Sequence, residues 1–270
     1  MPELAEVQTF VNAINQRFLG LTFKEIQFHR PDLRYPFDKI KLNKVFAQGT
    51  QLDKVYREGK QLVFETAHGA VNVSLGMSGS FKSIENMERE PHQHISLYFS
   101  DGSGLAYIDP RRFGFWKVRS KEHVAANICD PLFVDQLLTV FSNDTVIQKS
   151  RAIKEMLMDQ KIIGGIGNIY ALEALYLAKI SPLRACHQVK KEEWLRLAAK
   201  IPQLLNKAIE LGGSSISSYR NFGGSKGAFQ DLHQVYGRTD QKCLRSNCNG
   251  SIKRVSQNGR SSWYCVLCQR

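Results

Sequence analysis

The segment Gly164-Gly165-Ile166-Gly167-Asn168 separates two stretches of helical periodicity, and it decides how the chain is organised. Three glycines within four residues interrupt a helix at a high energetic cost, so this segment is predicted to form a tight double turn between two helices. Asn168 is suited to cap the second helix. Backbone N–H groups at a helix start attract anions, which makes the turn a candidate phosphate site, although an ordinary interhelical loop explains the pattern equally well.

Around this turn, apolar residues recur with helical spacing. A glycine- and serine-rich stretch over residues 212–237 follows, and it is either a linker or a functional loop. These features predict a helical domain over residues 131–236. Its helices are predicted at Val134–Phe141, Thr145–Met158, Asn168–Leu177 and Lys191–Leu211.

The region before residue 130 has a different pattern. One amphipathic helix over residues 3–18 ends at Gly20, and short strand-like runs follow it, with Asp101-Gly102 as a tight turn between two of them. We therefore predict a domain over residues 1–130 with a leading helix and a two-layer antiparallel β-sandwich, within an α+β multidomain chain. The predicted strands are Phe23–Phe28, Lys54–Thr66, Ala70–Leu75, Ile95–Phe99, Leu105–Ile108 and Phe113–Val118.

The last 34 residues, 237–270, contain four cysteines with the spacing C-x4-C-x16-C-x2-C. Two close pairs of thiolates separated by a hairpin are typical of a tetrahedral zinc site. The competing interpretation, two disulfides, fits an oxidising compartment, whereas this chain begins without a signal-peptide pattern. We predict one structural Zn²⁺ held by Cys243, Cys248, Cys265 and Cys268, and plain thiols at Cys129 and Cys186.

The formal net charge of +12 is concentrated in the second part of the chain. Residues 1–150 hold 18 Lys or Arg and 17 Asp or Glu, whereas residues 151–270 hold 19 and 8. Such a distribution is typical of a nucleic-acid footprint, the alternative being a solvated basic face that aids solubility. No apolar stretch is long enough for a transmembrane helix, so we expect a cytoplasmic protein without membrane partners. We also expect it to act as a monomer.

The N-terminus carries groups that could do chemistry. A small second residue permits removal of the initiator methionine, which would leave Pro2 with a free secondary amine. An α-amino group has a pKa near 8, so it is a usable nucleophile towards an aldehyde-like carbon. Glu3 and Glu6 could divide acid and electrostatic roles beside it, although acidic residues in a first turn also complement the helix dipole.

Several motifs of this chain, in order along its whole length, resemble the bacterial formamidopyrimidine-DNA glycosylases. They are Met1-Pro2-Glu3-Leu4-Ala5-Glu6-Val7, Gly59-Lys60 in a strand, Asp109-Pro110-Arg111-Arg112-Phe113-Gly114, Gly165-Ile166-Gly167-Asn168-Ile169-Tyr170, Gln234-Val235-Tyr236-Gly237-Arg238 and the four cysteines. The resemblance implies a β-sandwich, a helix–two-turns–helix domain and a zinc finger. It also implies excision of oxidised purines, 8-oxoguanine and formamidopyrimidines, from duplex DNA, and cleavage of the resulting abasic site by β,δ-elimination.

The resemblance implies four catalytic residues. Pro2 would attack C1′ of the sugar and form a Schiff base, and Glu3 would protonate the ring oxygen and shuttle protons during elimination. Glu6 would support the site, and Lys60 would contact the phosphate at the lesion and assist the lyase steps. Apart from the resemblance, the sequence around Lys60 indicates only an exposed lysine in a strand.

The same resemblance implies the residues that bind DNA. Asn168 and Arg260 would clamp the phosphates flanking an extruded nucleotide, and the loop around residues 217–229 would close over the lesion base. Wedge residues would fill the gap that the extruded base leaves, and a cation would read the orphaned partner. The remaining candidates are Met77, Arg111 and Phe113 at the gap, and His94 and Lys154 at phosphates; core packing or solvent exposure is the alternative for Met77, Phe113 and Lys154.

The chain departs from the family pattern at three places. Ala5 stands where proline is usual, Gln93 stands between His92 and His94 where aspartate is usual, and four residues rather than two separate Cys243 from Cys248. None of these removes a proposed catalytic group. The alternatives are an endonuclease VIII-like glycosylase for oxidised pyrimidines, which Leu4-Ala5 and the Arg111/Phe113 pair disfavour, and a non-catalytic lesion-binding protein, which has no need of Pro2 beside two carboxylates.

Overall fold

The computed structural model of the protein describes residues 2–84, 89–119, 128–215, 222 and 224–270. It divides into two compact units: unit 1 combines residues 1–125 with 211–228, and unit 2 combines residues 126–210 with 229–270. This division differs from the three domains that the sequence suggests. The C-terminal hairpin belongs to the same unit as the helices, and residues 211–228 return to the N-terminal unit.

Unit 1 contains a leading helix and two four-stranded antiparallel sheets. One sheet has the strand order β1-β6-β7-β5 and the other has the order β2-β3-β4-β8. Its elements are α1 Leu4–Phe18, β1 Phe23–Phe28, α2 Lys39–Val45, β2 Lys54–Glu58, β3 Gln61–Thr66, β4 Gly69–Ser74, β5 Ser80–Ile84, β6 Gln93–Phe99, β7 Gly104–Ile108 and β8 Phe115–Val118.

The two sheets enclose one apolar core to which α1 contributes a face. Phe81 of one sheet contacts Phe64 and Trp116 of the other, with ring centroids 5.7 and 6.0 Å apart. Phe10 and Phe18 of α1 pack on the same cluster. Large apolar and aromatic side chains at alternating strand positions bury most of their surface in this way, and their burial stabilises the layered arrangement. The β-sandwich with a leading helix is confirmed.

Three features of unit 1 differ from the sequence prediction. The single run Lys54–Thr66 is a hairpin of β2 and β3, so Lys60 lies in the Gly59-Lys60 turn rather than inside a strand. Phe113 precedes β8 and lies in a loop. The sequence reasoning missed α2 and β5, both of which are too short to show clear periodicity.

Unit 2 consists of helices followed by the C-terminal hairpin. The hairpin turn has Asn258 and Gly259 at φ +47° and +71°, the left-handed pair that a two-residue hairpin needs. Its elements are α3 Val134–Phe141, α4 Asp144–Ile147, α5 Ile153–Leu157, α6 Asn168–Leu177, α7 Lys191–Glu210, β9 Ile252–Gln257 and β10 Arg260–Cys265. No helix in the described ranges is long and apolar enough to cross a membrane.

The predicted helix Thr145–Met158 is wrong, because the chain breaks it into α4 and α5. Ala152 is extended and bridges to Ala185. The backbone N–H of Ile153 donates to the Arg184 carbonyl at 2.8 Å, and the N–H of Cys186 donates to the Arg151 carbonyl at 3.0 Å. These tertiary bonds satisfy backbone groups that a continuous helix would have paired locally, so the helical pattern yields to packing.

Candidate active site and nucleic-acid interface

Two carboxylates organise the start of α1. Glu6 Oε2 accepts a hydrogen bond at 2.7 Å from the backbone N–H of Glu3, the residue that precedes the helix. This bond satisfies one of the N–H groups that a helix start otherwise leaves unpaired. Pro2, directly before this pair, is buried, as are both glutamates. The three residues that the sequence assigned to one catalytic centre therefore lie together at one helix end.

A second backbone segment is tied to the same helix end. Glu6 Oε1 accepts a hydrogen bond from the Ser214 N–H at 2.7 Å, and both residues are buried. A hydrogen bond to a charged group contributes about 1.5–3 kcal/mol net. Glu6 thus does more than complement the helix dipole, because it fixes residues 212–215 against α1. This contact also explains why residues 211–228 belong to unit 1.

A side chain at Gly213 would collide with Glu6, which accepts the hydrogen bond from Ser214. The φ of Gly213 is +79°, and a Cβ built there would lie 2.7 Å from Glu6 Oε1. We expect Gly213→Ala to displace the Glu6 carboxylate, and to reduce the base excision that the resemblance implies about tenfold or more because reacting groups then lose their alignment. Single-turnover excision and thermal unfolding of the purified variant measure the two effects.

Gly49→Ala is the matched control for Gly213→Ala. Gly49 has φ +80°, the same backbone strain, but a Cβ added to it would meet no described atom within 4 Å. The control is expected to lower the melting temperature by a few degrees, about 2–4 °C per kcal/mol for a chain of this size, and to keep its excision rate. Equal excision rates in Gly213→Ala and Gly49→Ala would contradict the assigned contact.

Lys60 lies in the β2–β3 turn and is partly exposed. Within that hairpin, Arg57 donates to the Gly59 carbonyl at 3.2 Å and to Gln8 Oε1 of α1 at 3.1 Å. The turn that presents Lys60 is therefore linked to α1, the helix whose start carries the two glutamates. Its predicted contact with a DNA phosphate stays a prediction.

Met77, Arg111 and Phe113, the residues predicted to act at the gap in a duplex, line one open pocket of about 530 Å³. Met77 and Phe113 are 40% and 44% exposed, which excludes the core-packing alternative for both. The guanidinium of Arg111 lies 4.9 Å from the centre of the Phe113 ring. A cation over an aromatic face is held there electrostatically, so the two side chains form one projecting pair. Leu33 and Arg34 also line the pocket, and the sequence reasoning missed both.

A buried aspartate braces the two loops that form this pocket. Asp109 is fully buried; its Oδ1 accepts from Ser78 Oγ at 2.6 Å and its Oδ2 from the Gly114 N–H at 2.8 Å. Ser78 Oγ in turn accepts from the Arg111 N–H at 3.0 Å. A buried, fully bonded carboxylate rigidifies the backbone around it. Asp109 stands in the quoted motif, yet only its partners, distant in sequence, reveal this role.

His94 lies inside this brace. It is 5% exposed, and its Nε2 is 2.8 Å from the Asp109 carbonyl. Burial lowers the pKa of the His94 ring, because the charged form loses its hydration. In this arrangement His94 supports the Arg111 loop from within, and its predicted contact with a phosphate stays a prediction.

In unit 2, the double turn is held by a side chain that the sequence did not single out. Gln160 donates to the Ile166 carbonyl at 2.7 Å and accepts from the Gly165 N–H at 2.9 Å. The prediction that Asn168 caps α6 is wrong, because Gly167 is the capping residue and Asn168 is the first helical one. Asn168 Nδ2 instead donates to the Ser261 carbonyl of β10 at 3.0 Å.

Lys154 meets the same strand. Its Nζ donates to Ser262 Oγ at 2.7 Å and to the Ser261 carbonyl at 3.3 Å, and the side chain is 2% exposed. Burial, together with the nearby Arg260, lowers the pKa of Lys154 to about 8. The alternative interpretation, in which Lys154 is an ordinary helix lysine exposed to solvent, is therefore wrong. The double turn and the hairpin tip that carries Arg260 form one cluster within unit 2.

The four C-terminal cysteines come together as a candidate metal centre. All four Sγ atoms lie within 4.8 Å of one another, with 3.8 Å between Cys243 and Cys268 and 3.6 Å between Cys248 and Cys265. Tetrahedral Zn–S bonds of about 2.3 Å require sulfur separations of about 3.8 Å. The thiols are unbridged, so the donor set fits zinc and the longer first knuckle does not prevent closure. The hydroxyl oxygen of Tyr176, in α6, lies 3.3 Å from Cys243 Sγ.

A buried carboxylate fixes the segment that leads into the hairpin. Glu173 of α6 is 1% exposed and accepts three backbone N–H bonds of 2.9–3.0 Å, from Gln234, Val235 and Tyr236. Burial raises the pKa of Glu173, and the three donors act in the opposite direction. Glu173 is an acidic residue inside an otherwise apolar helix, and this was the sequence signal that could have identified it.

Cys129 and Cys186 are free and buried, and burial raises the pKa of both thiols.

Two family models match the chain. The model of the formamidopyrimidine-DNA glycosylase N-terminal domain matches residues 1–116, and that of the formamidopyrimidine-DNA glycosylase H2TH domain matches residues 129–220. The chain belongs to the formamidopyrimidine-DNA glycosylase family. The formamidopyrimidine-DNA glycosylases of Vibrio atlanticus and Gluconobacter oxydans are 34% and 36% identical to it, over the full length of both chains in each case.

Solved structures of the family also resemble the chain. A Lactococcus lactis Fpg in complex with DNA that contains an abasic site matches with a TM-score of 0.85 and 32% identity over 99% of each chain. A Lactococcus lactis mutant in complex with Fapy-dG-containing DNA matches with a TM-score of 0.85 and 32% identity over both full chains. The fold predicted for a formamidopyrimidine-DNA glycosylase is thereby confirmed.

As a formamidopyrimidine-DNA glycosylase, the chain presents its candidate residues in three groups. The helix start of α1 carries Pro2, Glu3 and Glu6; the pocket carries the wedge residues; and the hairpin cluster carries Asn168, Lys154 and Arg260. Part of the predicted lesion loop, residues 217–221 and 223, lies outside the described residues.

Proposed function

We propose that the protein is a bifunctional DNA glycosylase and abasic-site lyase that excises oxidised purines from duplex DNA. The observation that carries the proposal is the pair of buried carboxylates, Glu3 and Glu6, at the start of α1, directly after Pro2, in a chain of this family. Capping a helix start needs one acceptor side chain, so a second buried carboxylate beside a potential terminal amine supports a chemical role. Every proposed catalytic group lies in one chain, which supports action as a monomer.

The first chemical step joins Pro2 to the sugar. Once Met1 is removed, the Pro2 nitrogen attacks C1′, the bond from C1′ to the base nitrogen breaks, and the base leaves with a proton. Glu3 donates the proton that opens the sugar ring at its oxygen, which leaves an iminium between the Pro2 nitrogen and C1′. Glu6 holds the helix start and Ser214 in place through this step.

The second stage cleaves the strand. The iminium acidifies the C2′ protons, so β-elimination expels the 3′ phosphate and δ-elimination then expels the 5′ phosphate. Glu3 shuttles the protons, and Lys60 balances the charge of the phosphate at the lesion. Hydrolysis of the iminium releases the remaining sugar fragment and restores the free amine of Pro2.

Extrusion of the damaged base requires groups that fill the gap and hold the DNA. Met77 and Phe113 project from braced loops and can replace base stacking without needing hydrogen bonds. Arg111, held over the Phe113 ring, supplies donors for the edge of the orphaned base. In unit 2, Asn168 and the exposed Arg260 are the proposed clamps on the phosphates that flank the extruded nucleotide, and Lys154, bonded to the same strand, is the proposed further phosphate contact.

Zinc is the proposed occupant of the four-cysteine centre, where its role is structural. The four cysteines would hold the ion and so join the two knuckles, and its binding free energy would add to the folding free energy of the hairpin. The residues of the hairpin then hold Arg260 at its tip. Tyr176 and Arg245 connect the first knuckle to α6, since the Arg245 guanidinium lies 4.5 Å from the Tyr176 ring and donates to the Leu177 carbonyl at 3.3 Å.

Removal of the metal is expected to weaken DNA binding about tenfold, because the hairpin loses its cross-link and Arg260 loses its support. The measurement is the Kd for a lesion-containing duplex after chelation and after addition of Zn²⁺, beside the zinc content per chain. Cys268→Ser should reproduce the loss, whereas Cys186→Ala, at a buried thiol outside the cluster, should keep one zinc per chain. Unchanged affinity in zinc-free protein would refute the link.

The proposed substrate class is tested by cleavage of matched duplexes run side by side. They carry 8-oxoguanine opposite C, 8-oxoguanine opposite A, a formamidopyrimidine, or an oxidised pyrimidine. The proposal requires excision and strand scission at the two purine lesions in preference to the pyrimidine. Preference for the pyrimidine would place the chain with the endonuclease VIII-like enzymes, and tight binding without scission would make it a lesion-binding protein.

A further inference from the structure

A chain of hydrogen bonds crosses the hairpin just behind its tip. Lys154 Nζ of α5 donates to Ser262 Oγ at 2.7 Å, and Ser262 Oγ donates to Gln257 Oε1 at 2.8 Å. Gln257 Nε2 then donates to the Pro182 carbonyl, in the segment after α6, at 3.1 Å. Both strands of the hairpin are thereby bonded to the helical part of unit 2.

The register of the hairpin places this chain beside Arg260. Gln257 of β9 pairs directly with Arg260 of β10, and Ser262 is two residues further along the same strand. Directly paired residues, and residues two apart in a strand, share one face of a sheet. Gln257, Arg260 and Ser262 therefore lie on one face, the face that meets Lys154.

The same bonds also fix the backbone next to Arg260. The Ser261 carbonyl accepts from both Asn168 Nδ2 at 3.0 Å and Lys154 Nζ at 3.3 Å. A two-stranded hairpin is only marginally stable without such support, and a long arginine side chain at its turn would otherwise sample many positions. Arg260 itself is exposed, while Ser262 is fully buried with its hydroxyl bonded on both sides.

We propose that Ser262 is a positioning residue for Arg260: its hydroxyl joins Lys154 to Gln257 and so fixes the hairpin tip at the place where Arg260 meets a DNA phosphate. This inference rests on the proposed phosphate contact of Arg260. It assigns no contact with DNA to Ser262 itself. The bonded hydroxyl lowers the entropy that the tip loses on binding, so its effect is on affinity rather than on the chemical step.

The test is a double-mutant cycle on affinity for a duplex that contains a tetrahydrofuran abasic analogue. Arg260→Ala is expected to weaken binding about tenfold, and Ser262→Ala about fivefold with kcat at saturating DNA unchanged. In the Arg260→Ala background, Ser262→Ala is expected to change the Kd less than twofold. Ser256→Ala, on the opposite face of the hairpin and exposed, is the matched control and should bind as the unmodified protein does.

The outcomes separate this inference from the proposed function. Unchanged affinity of Arg260→Ala would remove the proposed phosphate contact itself. Suppose that Arg260→Ala binds DNA weakly as expected. The positioning role is then overturned if Ser262→Ala leaves the Kd unchanged, or if it raises the Kd by the same factor with and without Arg260. Ser262→Thr, which keeps the hydroxyl, should restore affinity. Gln257→Met breaks the same chain at a less buried residue, and it replaces Ser262→Ala in the cycle if that variant loses zinc or fails to fold.

Discussion

Pro2→Gln is expected to abolish covalent trapping on lesion-bearing DNA and to reduce excision about 10³-fold or more. A small second residue permits removal of Met1, whereas glutamine at this position leaves Met1 attached. The terminal amine is then displaced by one residue, about 3.5 Å along the chain. Misplacement of a reacting group by even 1 Å can cost about 10²-fold in rate, and here the amine leaves the helix start that Glu3 and Glu6 organise.

Trapping with borohydride and intact-mass analysis measure this effect together. The unmodified protein should lack Met1 and form an adduct that borohydride makes permanent, because reduction of the iminium fixes the Pro2 nitrogen to C1′. Pro2→Gly is the matched control, since it keeps a free α-amine with a pKa near 8 in the same position along the chain. An adduct of normal yield in a protein that retains Met1 would show that the nucleophile lies elsewhere.

Glu3→Gln is expected to reduce strand scission about 10³-fold while binding to lesion DNA changes less than about twofold. The loss follows because the amide cannot donate and accept the protons that ring opening and elimination require, and general acid–base catalysis contributes about 10²–10⁴-fold. The fold should survive, because glutamine has nearly the same size as glutamate and the backbone N–H of residue 3 can still donate to Glu6 Oε2.

Single-turnover scission, the Kd for a tetrahydrofuran duplex and thermal unfolding distinguish lost chemistry from lost structure in Glu3→Gln. Glu25→Gln, an exposed carboxylate on β1, is the control for the loss of one negative charge and should cut normally. Glu6→Gln should behave differently, since its two oxygens accept from the N–H groups of Glu3 and Ser214, and an amide would aim a donor at one of them. Normal scission by Glu3→Gln would contradict its role.

The sequence alone was sufficient wherever the signal was local. Alternating apolar runs and turn residues such as Asn258-Gly259 predict strands and hairpins, because backbone preferences act over a few residues. The spacing of Cys243, Cys248, Cys265 and Cys268 predicts the metal centre, since thiolates at knuckle spacing leave few other arrangements. The order of motifs along the chain also predicted the family that the comparisons confirm.

Local signals failed where a distant partner decides the outcome. The helical pattern over residues 145–158 gave way at Ala152, because backbone groups there bond to the segment around Ala185. Asn168 was suited to cap α6, yet its side chain bonds to β10, more than 90 residues away, and Gly167 takes the capping position. Periodicity and propensity carry no information about such partners.

The proposed catalytic residues were thus predicted from the sequence, and their support was decided by the tertiary structure. Pro2, Glu3 and Glu6 are visible in the first six residues, but only the fold brings Ser214 to Glu6 and Ser262 to Lys154. The physical reason is the same in each case. A buried polar group must find a hydrogen-bond partner, and which group is within about 3 Å depends on how the whole chain packs rather than on its neighbours in sequence.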